Sequence, residues 1–266
     1  MKIIYCGDVV GRAGREAVLK NLKYMRQKFA ADVIIVNVEN AAHGFGVSEN
    51  IAKTFLNAGA DVLTTGNHVW QHRDIVPFLD SSKQIIRPLN YPANSSGRGA
   101  TEFRLADGRV ILIAQVLGRV FMDPVDNPAF AIDNLLRSYN LGKNIDAIFV
   151  DIHAECTSEK LAFGCYLDGR VSVVAGTHTH VPTADAKVMP QGTAYITDVG
   201  MCGNYDSVLG FEKQAPIDRL CQRYNANKLE VCTHGGSVCA IMVETDDKTG
   251  LAKSITPFRI DEKHDQ

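Results

Sequence analysis

Acids, amides and histidines recur in this chain directly after short apolar runs. Asp8 follows Lys2 to Cys6, Glu39 and Asn40 follow Asp32 to Val38, and Asn67 and His68 follow Asp61 to Thr65. His153 follows Asp146 to Ile152, and His178-Thr179-His180 follows Val171 to Ala175. Together they offer two carboxylates, two side-chain amides and four imidazoles, with no cysteine among them. Oxygen and nitrogen donors of this kind suit Mn, Fe, Zn or Co.

Any one of these pieces is weak, because a Gly-Asp or Asn-His after a strand is ordinarily a turn or cap residue. His178 and His180 say more. One residue apart in an extended segment, they can approach a metal pair from one side. Eight donors exceed the needs of one tetrahedral site, so two metals are expected. A carboxylate between two cations about 3.5–4 Å apart can bridge them, and such a pair can hold a hydroxide and stabilise in-line displacement at phosphorus. Glu39 is the candidate bridge.

These residues must be carried by elements that bring them together. Three β-branched runs, Lys2 to Cys6, Asp32 to Val38 and Asp61 to Thr65, alternate with helical segments at Arg12 to Phe29 and Ser48 to Asn57. This is a βαβαβ opening, with Ser48 as an N-cap and Gly59 as a stop signal. Asp107-Gly108 joins two strands as a hairpin. Asn127 to Asn140 reads as a helix, Asp146 to Ile152 as a buried strand, and Thr157 to Leu167 as a helix capped by Thr157. Further strands are expected at Val171 to Ala175, Thr193 to Ile196, Leu229 to Cys232, Val238 to Glu244 and Ser254 to Ile260, with a turn at Asp246 to Gly250. In α/β sheets ligands gather at the carboxyl ends of strands, where the candidate donors lie. No Pro-, Gly- or Ser-rich linker divides the chain, so 1–260 is expected to form one domain of mixed sheets with helices outside, and Asp261 to Gln266 a frayed tail.

Composition narrows the function. Among 266 residues, 45% are hydrophobic and 22% charged, which excludes disorder and coiled coil. The 28 basic and 30 acidic residues nearly cancel, so no net charge draws the chain to nucleic acid or anionic membrane. Small substrates fit better. No apolar run reaches the roughly 20 residues of a membrane span, and no signal-peptide core precedes Gly7-Asp8, so a cytoplasmic protein is expected. The seven cysteines show no CxxC spacing and read as reduced thiols, Cys156 and Cys202 among them as packed small side chains.

Two glycine-bearing stretches adjoin the donors. Gly7 to Gly14 has neither a Gly-Lys-Ser/Thr ending nor a GxGxxG frame, which rejects a nucleotide P-loop. Its glycines let the backbone turn beside Asp8, and Arg12 reads as a solvated charge. His43-Gly44-Phe45-Gly46 reads as a lip beside Glu39-Asn40, with His43 a candidate substrate contact. His72 reads as a surface histidine, and His234 as part of another loop at the mouth.

Six blocks also carry a resemblance: Gly7-Asp8-Val9-Val10-Gly11, Asn37 to Gly44, Thr65-Gly66-Asn67-His68-Val69-Trp70, Asp151-Ile152-His153-Ala154-Glu155, Gly176 to Val181 and Ile196 to Met201. In this order they resemble the YmdB-like branch of the calcineurin-type metallophosphoesterases, over nearly the whole chain. The resemblance implies a four-layer α/β/β/α sandwich with mixed sheets and a dinuclear centre of two divalent or trivalent ions, Fe, Mn or Zn. It implies that Asp8, Glu39 and His180 hold one metal, with Asn40 near it, and that Glu39, Asn67, His153 and His178 hold the other. His68 would face the phosphate as the catalytic residue. Most of the superfamily begins with Asp-x-His and has Asp at the bridge. Here Val10 and Glu39 stand in those places, as in the YmdB-like branch. The implied substrates are phosphodiesters, notably 2′,3′-cyclic nucleotides, with RNA ends of the same chemistry as further partners and a homo-oligomer compatible. Glu155, Thr177, Thr179 and Asp198 are available to orient the imidazoles.

Two rivals share the donor set. A nucleotide- or RNA-binding regulator would use the metals for recognition with weak hydrolysis, although it would normally show an excess of Lys or Arg. A phosphomonoesterase such as a nucleotidase would differ only in the groups flanking the phosphate.

Overall fold

The computed structural model describes residues 1–223 and 227–261. In chain order the first half comprises β1 (Lys2–Cys6), β2 (Asp8–Val9), α1 (Gly11–Phe29), β3 (Val33–Asn37), α2 (Glu49–Asn57), β4 (Val62–Thr64), α3 (Ile75–Ser81), β5 (Ala100–Arg104), β6 (Val110–Leu117) and α4 (Pro128–Leu136). The second half comprises β7 (Ala147–His153), α5 (Thr157–Leu167), β8 (Val173–Thr177), β9 (Lys187–Val188), β10 (Ala194–Ile196), β11 (Met201–Asn204), α6 (Gln214–Leu220), β12 (Gly236–Thr245) and β13 (Ala252–Ile260).

The strands form two sheets. One runs β2-β11-β12-β1-β3-β4, with β13 also paired to β12, and the other runs β5-β6-β7-β8-β10-β9. In the first, β1, β3 and β4 are parallel; in the second, β6, β7, β8 and β10 are parallel. Antiparallel strands lie at or beyond these parallel blocks, including β5 on β6 and β12 on β1.

Alternation along the strands sorts the core into three apolar layers. Ile4, Ile34 and Val36 point to α1, α2 and α3, where they meet Val18, Leu22, Phe55 and Leu79. Their neighbours Ile3, Tyr5, Val33 and Ile35 point the other way, onto Ile111, Ile113, Phe149 and Val173 of the second sheet. That sheet's outer face, with Leu112, Ile148 and Val150, packs on Ile132 of α4 and on Phe163 and Leu167 of α5. Helices, sheet, sheet and helices are thus the four layers of an α/β/β/α sandwich. Both sheets are covered on both faces, which is why their central strands are apolar runs rather than alternating ones.

Local signals end the elements. Ser48 Oγ accepts from Ile51 N at the start of α2, and Asn127 caps α4 from Ala129 N with Pro128 in its first turn. Ala30, left-handed at φ 49°, closes α1.

Several expected boundaries shift. The helix expected over Asn127 to Asn140 ends at Leu136, and Asn140 joins a turn closed by Asn144. The cap of α5 is Cys156 rather than Thr157, which lies inside the first turn. Leu229 to Cys232 forms no strand: Val231 makes a single bridge to Phe211. The short β2, β9 and β11, and α3 and α6, have too few residues to show a period in sequence. Of the expected tail, Asp261 accepts from Ser237 and Arg259, whereas 262–266, with His264, lie outside the described residues. Among the described residues no helix is long and apolar enough to cross a membrane.

Candidate metal centre

The parallel strands deliver their carboxyl ends to one place. Asp8 lies just past β1, Glu39 two residues past β3, Asn67 three past β4, His153 at the last position of β7 and His178 at the first past β8. Two triads of donor atoms result, Asp8–Glu39–His180 and Glu39–His153–His178, each with its atoms within 4.8 Å of one another. Glu39 belongs to both. Each triad draws on both sheets, since Asp8 and Glu39 leave the first sheet and the histidines leave the second.

Hydrogen bonds fix which ring nitrogens face inward. His153 Nδ1 lies 2.8 Å from Thr177 Oγ1, whose own proton is given to Asp151 Oδ1 at 2.7 Å, so the imidazole must be the donor. His180 Nδ1 donates to the Leu209 carbonyl at 3.1 Å, and His178 Nε2 lies 3.2 Å from Glu155 Oε2. In His153 and His180 the outward nitrogen carries the proton and the inward one presents a lone pair, while His178 turns Nδ1 toward His153 Nε2.

Those lone pairs converge on other acceptors. His153 Nε2 is 3.2 Å from Glu39 Oε2, 3.1 Å from Asn67 Oδ1 and 3.1 Å from His178 Nδ1. Asp8 Oδ1 is buried with no hydrogen-bond partner, while its Oδ2 accepts from His178 N at 3.1 Å. A buried cluster of acceptors is repulsive unless cations lie among them, and these oxygen and nitrogen donors suit metal ions. The backbone leaves room for them: a Cβ at Gly66 would stand 2.0 Å from Glu39 Oε2 and 2.6 Å from His153 Nε2.

Protons are the alternative occupants. For Asp8, burial raises the carboxyl to about 7 against the pull of His180 and His153. Burial opposes charge on His153, but Glu39, Asp8 and Asp151 outweigh it and hold the imidazole at about 9. Burial would raise Glu39 as well, yet His153 beside it takes the carboxyl well below its usual range. His178, desolvated and next to His153, falls to about 3.

The remaining sequence candidates fall around the cluster. Asn40 lies between Glu39 and His180, its Nδ2 at 2.9 Å from Glu39 Oε1 and 3.0 Å from His180 Nε2. An amide NH₂ is no ligand, so in this orientation Asn40 steadies the two donors, and ligation requires the amide turned over. His68 stands at the rim, Nε2 3.4 Å from Asn67 Nδ2, its ring edge-on to Phe45 with centroids 5.1 Å apart. His43 is exposed at φ 53°, and no hydrogen bond joins it to the cluster. His72 reaches the Phe45 carbonyl at 3.0 Å. His234 lies away from the cluster, in a groove along α1 with Glu16 and Lys20. Arg12 is exposed and paired with Glu16.

Of the four residues available to orient the imidazoles, Thr177 and Glu155 contact His153 and His178 directly. Thr179 and Asp198 act on the backbone: Asp198 accepts from Thr179 N at 3.1 Å, Thr179 Oγ1 at 2.6 Å and Lys160 Nζ at 2.8 Å. His178 and His180 need such anchorage, because both are left-handed, at φ 94° and 64°, a conformation that costs about 1–3 kcal/mol per non-glycine residue. Sequence reading passed over Asp151, Tyr5 and Gln115. Tyr5 OH donates to Asp151 Oδ2 at 2.5 Å and Gln115 Nε2 to the same oxygen at 2.6 Å, which holds the Asp151–Thr177–His153 relay in place. Their signal was present: each is a polar residue inside an otherwise apolar buried strand.

Three likenesses bear on this arrangement. The 2′,3′-cyclic-nucleotide 2′-phosphodiesterase of Bacillus subtilis is 40% identical over 99% of this chain and 98% of its own. A crystal structure from Mycoplasma pneumoniae, described as a novel phosphatase, superposes with a TM-score of 0.90 at 36% identity, covering 98% of this chain and 94% of that one. The calcineurin-like phosphoesterase YfkN of Bacillus subtilis shares the fold alone, with a TM-score of 0.57 at 9% identity over 98% of this chain and 90% of that one. The model of the family described as YmdB-like protein matches residues 4–258, and the chain belongs to that family.

Proposed function

We propose that this chain hydrolyses phosphodiesters, foremost 2′,3′-cyclic nucleotides, with two divalent or trivalent metal ions of Fe, Mn or Zn. The observation that carries this reading is the sharing of Glu39 between two inward-facing donor triads. Asp8, Glu39 and His180 hold one ion, with Asn40 beside them. Glu39, Asn67, His153 and His178 hold the other. When bound, the ions supply positive charge to the phosphoryl oxygens and make a water acidic enough to attack at neutral pH.

The chain's own groups do the rest. Asp8 and Glu39 set the charge of the pair, Thr177 and Leu209 keep His153 and His180 turned with lone pairs inward, and Glu155 lies beside His178. His68, rooted beside Asn67, hydrogen-bonds the phosphate or gives a proton to the leaving oxygen, and His43 contributes to the rim. One water adds at phosphorus as one ester bond breaks, and the freed ribose oxygen takes a proton. The relative's name specifies the 2′ bond, and the same choice here leaves a nucleoside 3′-phosphate. RNA ends carrying a cyclic phosphate present the same group. Residues 1–260 act as one metallophosphoesterase unit, since each triad needs both sheets. The unpaired state of all seven cysteines suits the cytoplasm.

A phosphomonoesterase is the second reading, favoured by the description of the Mycoplasma structure. Metal-reconstituted protein tested on 2′,3′-cyclic, 3′,5′-cyclic and monoester nucleotides decides between them: turnover led by the 2′,3′-cyclic substrates is expected, and turnover of monoesters alone overturns the proposal. Metal content measured beside turnover of bis-nitrophenyl phosphate tests the regulator, which would bind metal without turnover.

A further inference from the structure

Two loops meet beside the metal centre and build an apolar lip. The ring of Phe45, edge-on to His68, also leans on Phe211 with centroids 5.5 Å apart. Gly44 and Gly46 flank Phe45 at φ 89° and 77°. A Cβ at Gly44 would lie 2.6 Å from Val231 Cγ2 and 3.1 Å from the Phe211 ring, so only glycine lets the two loops come this close. Bridges from Phe211 to Val208 and Val231 hold the backing ring. Leu209, at φ 55°, gives its carbonyl to His180 while its side chain stays in water. Phe45, Val208 and Leu209 remain 37%, 39% and 45% exposed. The lip thus touches His68 at one end and His180 at the other. Apolar side chains held rigidly against a polar centre mark a ligand-binding wall.

We propose that Phe45, backed by Phe211, is the platform on which the substrate's nucleobase stacks, and so determines preference for base-bearing phosphodiesters. The proposal rests on the phosphodiesterase reading above. With the phosphate at the metal centre and facing His68, the nucleoside extends outward, and the aromatic surface next to His68 is Phe45. A second copy of the chain seated here would cover His68 and close the site, which favours the nucleobase as occupant. Every base has a π face, so the platform accepts all four bases with little discrimination among them.

The test uses metal-loaded wild type, Phe45→Ala and Phe45→Tyr. Calorimetry compares adenosine 3′-monophosphate with inorganic phosphate, and kinetics compare adenosine 2′,3′-cyclic phosphate with glycerol 1,2-cyclic phosphate, which has no base. Phe45→Ala should weaken the nucleotide and lower its kcat/KM roughly 5- to 100-fold. Phosphate binding and the base-free substrate should be unchanged, and Phe45→Tyr should restore the nucleotide. Equal losses on both substrates would mean that Phe45 acts through His68, and no loss on either would mean that the base lies elsewhere; both overturn the platform. So does a change of oligomeric state in Phe45→Ala with unaltered nucleotide binding. If wild type turns over neither cyclic phosphate, the phosphodiesterase reading fails, and the calorimetric comparison still decides the platform.

Discussion

A metal ligand and a group that acts on the substrate fail differently when truncated, so truncation tests the proposed assignment. His153 Nε2 points into the acceptor cluster, so His153→Ala should lose metal together with activity. His68 faces the rim, so His68→Ala should keep the metal, measured by elemental analysis, while kcat falls about 10²- to 10⁴-fold. If instead it loses metal and keeps its activity per bound ion, His68 is a ligand. Thr177 offers a finer test. Thr177→Val preserves shape but strands the His153 Nδ1–H and Asp151 Oδ1, both buried. Metal affinity, followed by competition with a chromophoric chelator, should fall about 10- to 100-fold. A mutant with wild-type affinity would show that the ring is held by packing alone. At this scale the inward donors were legible in sequence because each follows an apolar run. Leu209 was not, since the group that orients His180 is a backbone carbonyl and its side chain carries no trace of the role.

At the scale of elements, the strained turn after β8 depends on α5. Lys160, fully buried on that helix, pairs with the equally buried Asp198, which in turn holds Thr179 between the two strained histidines. Lys160→Met removes the countercharge and leaves a buried carboxylate, a loss of about 3–5 kcal/mol on breaking such a pair. Urea unfolding should register that loss, and metal content should drop although no ligand has changed. A drop in stability with full metal occupancy would show that the turn is set by its own sequence. The long apolar runs β1, β3 and β7 and the helices α1, α2 and α5 could be read ahead of the structure, since burial on both faces writes a continuous apolar signal. Asp198 could be read only as one of several candidates, because its partner Lys160 lies 38 residues away in a helix whose charged residues would by default face water. The two-residue β2 and β9 exist only through their neighbours, so local composition cannot announce them.

For the whole molecule, the acceptor cluster couples metal, protons and stability. In metal-free protein Asp8 rises from 3.8 to about 7 and His153 from 6.5 to about 9. A group whose folded value is raised stabilises fully below its unfolded value and loses that contribution as pH climbs to the folded one. For Asp8 the loss spans pH 3.8 to about 7, and for His153 it spans 6.5 to about 9. Glu39 and His178 shift downward, so their effects play out at or below pH 6.5 and are settled above it. Between pH 6.5 and 9 the chelated protein should therefore lose stability steadily, with Tm falling about 2–4 °C for each kcal/mol. Cations replace those protons when the ligands deprotonate, so metal affinity rises over the same window and binding releases protons. The metal-loaded protein should hold its Tm from pH 6.5 to 9 while the chelated protein does not, and scanning calorimetry on both forms reads the difference directly. Parallel curves for the two forms would mean that metal does not displace those protons, and would remove the physical basis for placing two cations at Glu39.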